Sequence, residues 1–330
     1  MCLYPKLIKN RKYVANKKNG GDIPAFPIKN GKEDKRVELV PVGCGKCMEC
    51  MKKKSREWTV RLMEELKQNP KCYWITLTFS DESINKISTR IPTLEGYERD
   101  NEIATIGMRL FNERIRKATK KAVKHWFVTE LGHEGTENIH LHGFMWTDNI
   151  ETILSKWQYG YTWLGQYVNE KTINYNIKYV HKLDKDHKEY KPKILCSPGI
   201  GKHYLQTIAA NKNKFKKEAT NEAYLTKSGI KLALPKYYRN HIYSEKEKEE
   251  LWLHMLDKQK RYINGREVDV SQNDEEYYKI LEEEREKNTI LGYGDDKKNW
   301  ERKRYENAKR NLNYLTRIKR ANDKKNNNGL

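Results

Sequence analysis

No stretch of the 330-residue chain approaches the roughly 20 consecutive apolar residues that a membrane-crossing helix needs. Charged side chains make up 34% of it, so no contact with a membrane is expected. The opening residues MCLYPKLIKN lack the apolar run of a secretory signal, and the expected address is therefore the cytoplasm. Gly-x-x-x-x-Gly-Lys-Ser/Thr is also missing, so the chain has no signature of a P-loop motor. A single His-x-His pair is present, which disfavours a phosphodiesterase built on two such motifs. Six cysteines without an export signal do not suit a disulfide framework, and they leave reduced thiols or a metal site.

Acid is scarce relative to base. The chain has 66 Lys and Arg against 45 Asp and Glu, a formal charge of +21. The excess is concentrated: residues 1–60 hold 15 basic against 6 acidic side chains, residues 171–220 hold 12 against 4, and residues 301–330 hold 10 against 3. These blocks together exceed the net charge of the whole, so the remainder is slightly acidic. Concentrated base of this kind favours nucleic acid, because each phosphate it neutralises releases condensed counterions.

Residues 1–43 show little periodicity and read as an extended basic arm. A helix is predicted over 49–66, with Met51, Ser55, Trp58, Leu62 and Leu66 along one side. Tyr73–Phe79 alternates as a strand, and 80–104 read as a loop. A second helix is expected over about 105–122, with Met108, Phe111, Ile115, Ala118 and Ala122 on one face. Strands follow at 125–131 and 139–146, joined by the Gly-containing GHEGTEN, and a third helix fits 171–183 through Ile173, Ile177 and Val180. Beyond Pro192 the chain reads as basic loops. After Tyr238 it turns to charged helices, opened by a Ser244/Glu247 capping box and closed by a disordered tail.

Chemistry concentrates in two places. Side chains at i and i+2 of a strand share a face, so His140 and His142 project together while Ile139 and Leu141 take the other side. If Leu131 pairs with Ile139, Glu130 stands opposite His140, with cross-strand Cβ atoms about 4.5–5.5 Å apart. Two neutral imidazoles and a carboxylate suit a divalent metal. On the third helix Tyr175, Tyr179 and Lys182 lie one turn apart, with Lys178 between them. A phenol near a divalent cation and a lysine becomes a usable nucleophile, although its ordinary pKa is about 10. Taken singly, the histidine pair suits a half-exposed strand and the tyrosine pair suits packing.

In this order, the two features resemble the HUH endonucleases, and more narrowly the replication initiators of the Microviridae, closest to the gokushovirus branch. Further motifs carry the resemblance: Cys44-Gly-Lys-Cys47-Met-Glu-Cys50 running into Arg56-Glu57-Trp58, Trp74–Phe79 with Ser80-Asp81-Glu82, Ser197-Pro-Gly-Ile-Gly201, and Leu234-Pro-Lys-Tyr-Tyr-Arg239. The resemblance implies an α+β fold with a central antiparallel sheet flanked by helices. It implies a basic arm with the cysteine cluster at 1–57, the endonuclease at 58–240 and a charged helical region at 241–330. His140 and His142 would be metal ligands, with Glu130 an approximate match for a third, and the metal would be Mg²⁺ or Mn²⁺. Tyr175 and Tyr179 would be paired nucleophiles, with Lys178 and Lys182 positioning the substrate and neutralising charge.

The implied activity is rolling-circle initiation: nicking origin DNA, holding the 5′ end as a phosphotyrosine, freeing a 3′-OH primer and later releasing a circle. The implied partners are single-stranded and supercoiled duplex origin DNA with a host helicase and polymerase, and the setting is the cytoplasm of a bacterium. A related relaxase or transposase, and a non-catalytic basic protein that binds single-stranded DNA or RNA, are the competing expectations. Separately, Cys44, Cys47 and Cys50 have the spacing of zinc ligands, with Cys2 or Cys72 as the fourth. An iron–sulfur cluster fits the spacing less well.

The basic blocks generate a first prediction. Affinity for single-stranded DNA should fall on a log–log plot against salt, with a slope of about −0.7 per neutralised phosphate. Removing residues 301–330 should flatten the slope, as a filter-binding series at several salt concentrations will show.

Overall fold

The strand Ile139–Trp146 shows how the sequence builds two layers around one sheet. Ile139, Leu141 and Met145 are buried in one apolar cluster, whereas Phe144 and Trp146 are buried in another. Strict alternation therefore gives a sheet with both faces covered. The computed structural model describes residues 2–133, 137–165, 167–181, 183–294 and 300–327. It divides into two compact units, one of Met1–Glu57 with Tyr204–Lys298 and the other of Trp58–His203 with Asn299–Leu330.

The second unit carries the sheet. Its elements in chain order are the part of α1 (Met48–Gln68) from Trp58 onward, β1 (Cys72–Thr78), α2 (Asp81–Ser88), α3 (Gly96–Thr119), β2 (Lys124–Leu131), β3 (Ile139–Trp146), β4 (Thr162–Leu164), α4 (Glu170–His181), β5 (Ile194–Cys196) and α5 (Trp300–Asn327). The strands lie in the order β4–β1–β3–β2–β5, each neighbouring pair antiparallel. This is the α+β arrangement expected, a central antiparallel sheet with helices against it.

One face packs Ile75, Leu77, Phe127, Leu131 and Leu141 against Ile84 and Ile87 of α2 and Ile103, Met108, Phe111 and Ile115 of α3. The opposite face packs Trp126, Val128 and Phe144 against Leu62 of α1 and Ile173, Ile177 and Val180 of α4. Each large apolar side chain so buried contributes about 1.5–3 kcal/mol. Gly143, in the middle of β3, is required by this packing. A Cβ there would lie 2.1 Å from the Trp126 carbonyl oxygen and 2.6 Å from Phe127 Cδ1.

The segment 80–104, expected to be a loop, holds α2 and the first turns of α3. Ser80 caps α2 by accepting from the Ser83 N–H, and Ile84 and Ile87, three apart, are enough to bury one face. Strands β4 and β5 are three residues each, too short for alternation to reveal them.

The end of the chain also departs from expectation. The predicted disordered tail is helical as far as Asn327. Tyr314 and Ile318 of this helix, α5, join the α2–α3 core. Buried Arg310 places Nε 2.8 Å from Asp100 and Nη1 3.0 Å from Glu137. Arg99 lies over the Tyr314 ring at 3.6 Å, and the Tyr314 hydroxyl meets Ser88. Composition alone hides these contacts, because the apolar residues of α5 are few and widely spaced among charges.

In the other unit the basic arm is not loose. Lys6–Lys9 pairs antiparallel with Leu39–Val42. Lys12 and Tyr13 hold Glu249 at 2.8 and 3.0 Å, and Lys29 and Arg36 both reach Asp257. Those acids belong to the helix Glu245–Asp257, which opens with the expected Ser244/Glu247 capping box. A small core gathers Leu3, Cys47, Ile263, Val268, Tyr277 and Leu281. Among the described residues no helix is long and apolar enough to cross a membrane.

Gly143→Ala is expected to destabilise the sheet unit by about 1–3 kcal/mol or more, the usual cost of overpacking a dense core. Chemical denaturation will check it. An unchanged midpoint would show that β3 has room to spare.

Candidate active site

The register of the β2–β3 hairpin builds the site. Leu131 pairs with Ile139 and Glu130 with His140, as alternation and loop length predict, while His142 lies opposite Val128 on one side and Thr76 of β1 on the other. Glu130, His140 and His142 therefore share the sheet face that α4 covers. Glu130 Oε2 is 2.8 Å from His142 Nε2. Thr76 Oγ1 lies 3.0 Å from His142 Nδ1, which fixes the ring and leaves Nε2 directed at the carboxylate. The His140 ring centre is 6.2 Å from that of His142. Gly132 leaves room for His140, since a Cβ there would fall 2.8 Å from its Cε1.

Electrostatics hold these groups in distinct states. Burial, reinforced by neighbouring His142 and opposed by Glu130, lowers the His140 pKa below its ordinary 6.5. His140 is thereby kept as the neutral imidazole that a cation can use.

Helix α4 brings the phenols onto the same face. Ile173, Ile177 and Val180 are buried, which turns Tyr175, Lys178 and Tyr179 away from the core. Tyr179 stacks on His142 with ring centres 4.6 Å apart and planes 16° from parallel. Its hydroxyl donates to the Tyr175 hydroxyl at 3.2 Å. Burial, that hydrogen bond and the Glu130 charge together push the Tyr179 phenol well above its usual pKa. Lys178 Nζ lies 5.5 Å from the Tyr175 ring centre. Lys182, the other expected helix lysine, falls outside the described residues.

Sequence reasoning missed three contributors. Thr76 gave no signal beyond its place in a strand. A row of aromatic rings extends outward from the phenols: Tyr175 meets the edge of Trp74 at 5.5 Å, and Trp74 meets the half-exposed Trp163 at 4.9 Å. Tyr161 and Tyr167 flank Trp163 in sequence and are largely exposed. Third, His133 gathers with Asp184 and Asp186, with ligand atoms mutually within 4.8 Å. His133 Nε2 is 3.9 Å from Glu130 Oε1, and a cavity of about 30 Å³ between Glu130, Tyr179, His133 and Asp184 has room for one water. Asp184 is also bonded to His187 Nδ1 at 3.0 Å. The Asp-x-Asp-His sequence just after the helix was the available clue.

Among the described residues, His140, His142 and Glu130 do not form a group with all three ligand atoms within 4.8 Å of one another. The close pair is His142 and Glu130, with His140 beside it. Cys2, Cys44, Cys47 and Cys50 do meet that limit, so Cys2 rather than Cys72 completes the cysteine set.

Two neutral or orientable imidazoles, a carboxylate and two phenols on one open sheet face can bind a divalent cation and present an oxygen nucleophile to a phosphodiester. Residues 72–184, from the start of β1 to just past α4, match the family described as replication-associated protein ORF2. Over 273 residues the chain is 28% identical to the replication-associated protein ORF2 of Spiroplasma virus 4, covering 74% of this chain and 81% of that protein. No solved structure matches. These similarities support the role of a phage replication initiator.

The histidines should titrate apart. His140 is held below 6.5 and His187 above it; burial opposes the charge on His187, and the Asp184 carboxylate overcomes it. The stability that His187 contributes is full below pH 6.5 and fades as pH rises through its folded pKa. That of His140 is present above 6.5 and lost as pH falls through its folded value. Imidazole NMR titration checks both, and coincident midpoints would contradict the assignment.

Proposed function

We propose that this chain is a rolling-circle replication initiator of the HUH type, most like those of the gokushovirus branch of the Microviridae. It nicks single-stranded or extruded origin DNA and retains the 5′ end on a tyrosine. The supporting observation is the convergence of Glu130, His140 and His142 with Tyr175 and Tyr179 on one sheet face.

The donor set fits Mg²⁺ or Mn²⁺: one carboxylate, two imidazoles and an open side toward solvent. The fit rests on the chemistry of the donors and on the 2.8 Å span between His142 and Glu130, a separation at which both atoms can bind one ion. Drawing the His140 ring toward that pair completes the triad. Thr76 acts behind it, holding His142 in the ligating orientation. When bound, the cation polarises the scissile phosphate and offsets the negative charge that develops there.

Each other task falls to the protein. Aromatic rings at Trp163 and Trp74 offer stacking surfaces for unpaired bases leading toward the phenols. Tyr179 donates to Tyr175, and a hydrogen bond to a phenolate favours that charged form, so Tyr175 makes the first attack. Its oxygen bonds to phosphorus, the P–O3′ bond breaks, and the departing 3′-oxygen takes a proton to become the 3′-OH primer. Tyr179 then makes the second cut while Tyr175 still carries the 5′ end. The two phenols are one helical turn apart, about 6 Å of rise, so a modest shift of the strand exchanges them. Lys178 neutralises phosphate charge beside Tyr175, and Lys182 continues the same function.

Supercoiling of duplex origin DNA supplies the single-stranded target. A host helicase and polymerase in the bacterial cytoplasm supply unwinding and extension.

Denaturing electrophoresis with an origin oligonucleotide and Mn²⁺ tests the reading. Covalent adduct should form with the intact chain and disappear in His140→Ala, His142→Ala and the Tyr175→Phe/Tyr179→Phe double variant. Each single tyrosine variant should keep some nicking, with Tyr175→Phe the more impaired at the first cut, and neither should sustain repeated circle release. Strand binding without any adduct would instead establish a non-catalytic binding protein.

A further inference from the structure

We propose that Cys2, Cys44, Cys47 and Cys50 hold one zinc ion as a closed, four-thiolate structural site that seats the beginning of the chain in the core of its own unit. This proposal is independent of the nicking chemistry and concerns the unit formed by residues 1–57 and 204–298.

The geometry is that of a built site. The four sulfur atoms lie within 4.8 Å of one another, and all six cysteines of the chain are free thiols. Cys2 Sγ and Cys47 Sγ are 3.8 Å apart. A disulfide needs about 2.05 Å, whereas a zinc tetrahedron with Zn–S bonds of about 2.3 Å has edges of about 3.8 Å. The observed separation is therefore wrong for an S–S bond and right for two thiolates sharing one ion.

Backbone N–H groups are already aimed at the sulfurs. Tyr4 and Cys44 donate to Cys2 Sγ at 3.3 and 3.2 Å, and Cys47 donates to Cys44 Sγ at 3.3 Å. Neutral thiols accept such bonds weakly; thiolates accept them well. The turn Cys44-Gly-Lys-Cys47 depends on Gly45 at φ +74°, a conformation glycine adopts freely. Gly43 has no room for a side chain of its own, since a Cβ there would meet Cys50 Sγ at 3.1 Å. Zinc with four thiolates carries two negative charges, and Lys46, Lys52, Lys53 and Lys54 fall within or just after the cluster in sequence.

The position of the site explains what the ion does. Leu3 is fully buried with Ile263, Val268, Tyr277 and Leu281, and Cys47 belongs to the same core while Cys2, Cys44 and Cys50 pack against it. Arg285 donates to the Leu3 carbonyl at 3.1 Å. So few buried side chains make a core of the size that small units reinforce with a metal. Binding Cys2 to residues 44–50 fixes Leu3 in place and thereby secures the hairpin 260–269 and the helix Glu275–Ile290. Cys72 and Cys196 lie in strands of the sheet and take no part.

The test uses the full-length, untagged chain purified without chelator. Elemental analysis should find one zinc per chain. Cobalt exchanged into the site should show the intense sulfur-to-cobalt charge-transfer absorption of four thiolates. Cys2→Ser and Cys50→Ser should each lose most of the metal and melt at lower temperature, whereas Cys196→Ser should keep a full equivalent. If the serine variants do not fold, zinc release from the intact chain by a mercurial thiol reagent, titrated to four thiols per ion, reads the same stoichiometry. Protein without zinc, iron in its place, or a full zinc equivalent retained in Cys2→Ser and Cys50→Ser overturns the proposal.

Discussion

The pairing of β2 with β3 is the constraint on which the candidate site and the core both depend. Residues alternate strictly along β3, so one register fixes two things at once. It sends Ile139, Leu141 and Met145 into the α2–α3 layer and presents His140 and His142 to α4. A slip of one residue would exchange those faces and bury imidazoles against isoleucines. The apolar layer therefore holds the polar site in place: any register that lost the site would also lose the core. Gly143 tightens this coupling, because its neighbours Trp126 and Phe127 close over the space a side chain would need.

Legibility in the sequence follows physical range. The hairpin register can be read because its two strands are eight residues each and their periodicity is clean, which places Glu130 against His140 in advance. Helix α4 is readable through Ile173, Ile177 and Val180. The cysteine set is visible as a spacing, but its fourth member lies 42 residues from Cys44, and only folding selects Cys2 over Cys72. Thr76 cannot be singled out, since its importance lies in one contact with His142 made across a strand pair. The arm reads as loose because its anchors, Glu249 and Asp257, are more than 200 residues away in sequence. The last helix escapes notice because its contribution is a few residues, Arg310 and Tyr314 among them, within an otherwise solvated charge pattern.

Charge is distributed in opposition to the protein's overall sign. The chain as a whole is strongly basic, yet Glu130, Asp184 and Asp186 cluster around the phenols and histidines. The basic majority attracts a polyanion over a range set by the Debye length, about 8 Å at physiological ionic strength. At shorter distance the acidic group repels phosphate and attracts cations. A strand that reaches Tyr175 therefore meets a site whose local charge must first be reversed. The raised pKa of Tyr179, partly an effect of Glu130, expresses the same resting state.

Both units are discontinuous in the chain. The sheet unit takes residues 58–203 and then residues 299–330, while its counterpart takes 1–57 and 204–298. Arg310, near the end, neutralises Asp100 and Glu137, and the latter sits in the loop that joins the two strands bearing the site. During synthesis, then, a ribosome has made every histidine and tyrosine of the site long before it makes the arginine that neutralises the buried acid behind them. A nascent or prematurely terminated chain would hold the reactive groups without the finished frame. An initiator built this way would couple its competence to cut DNA to the completion of its own translation.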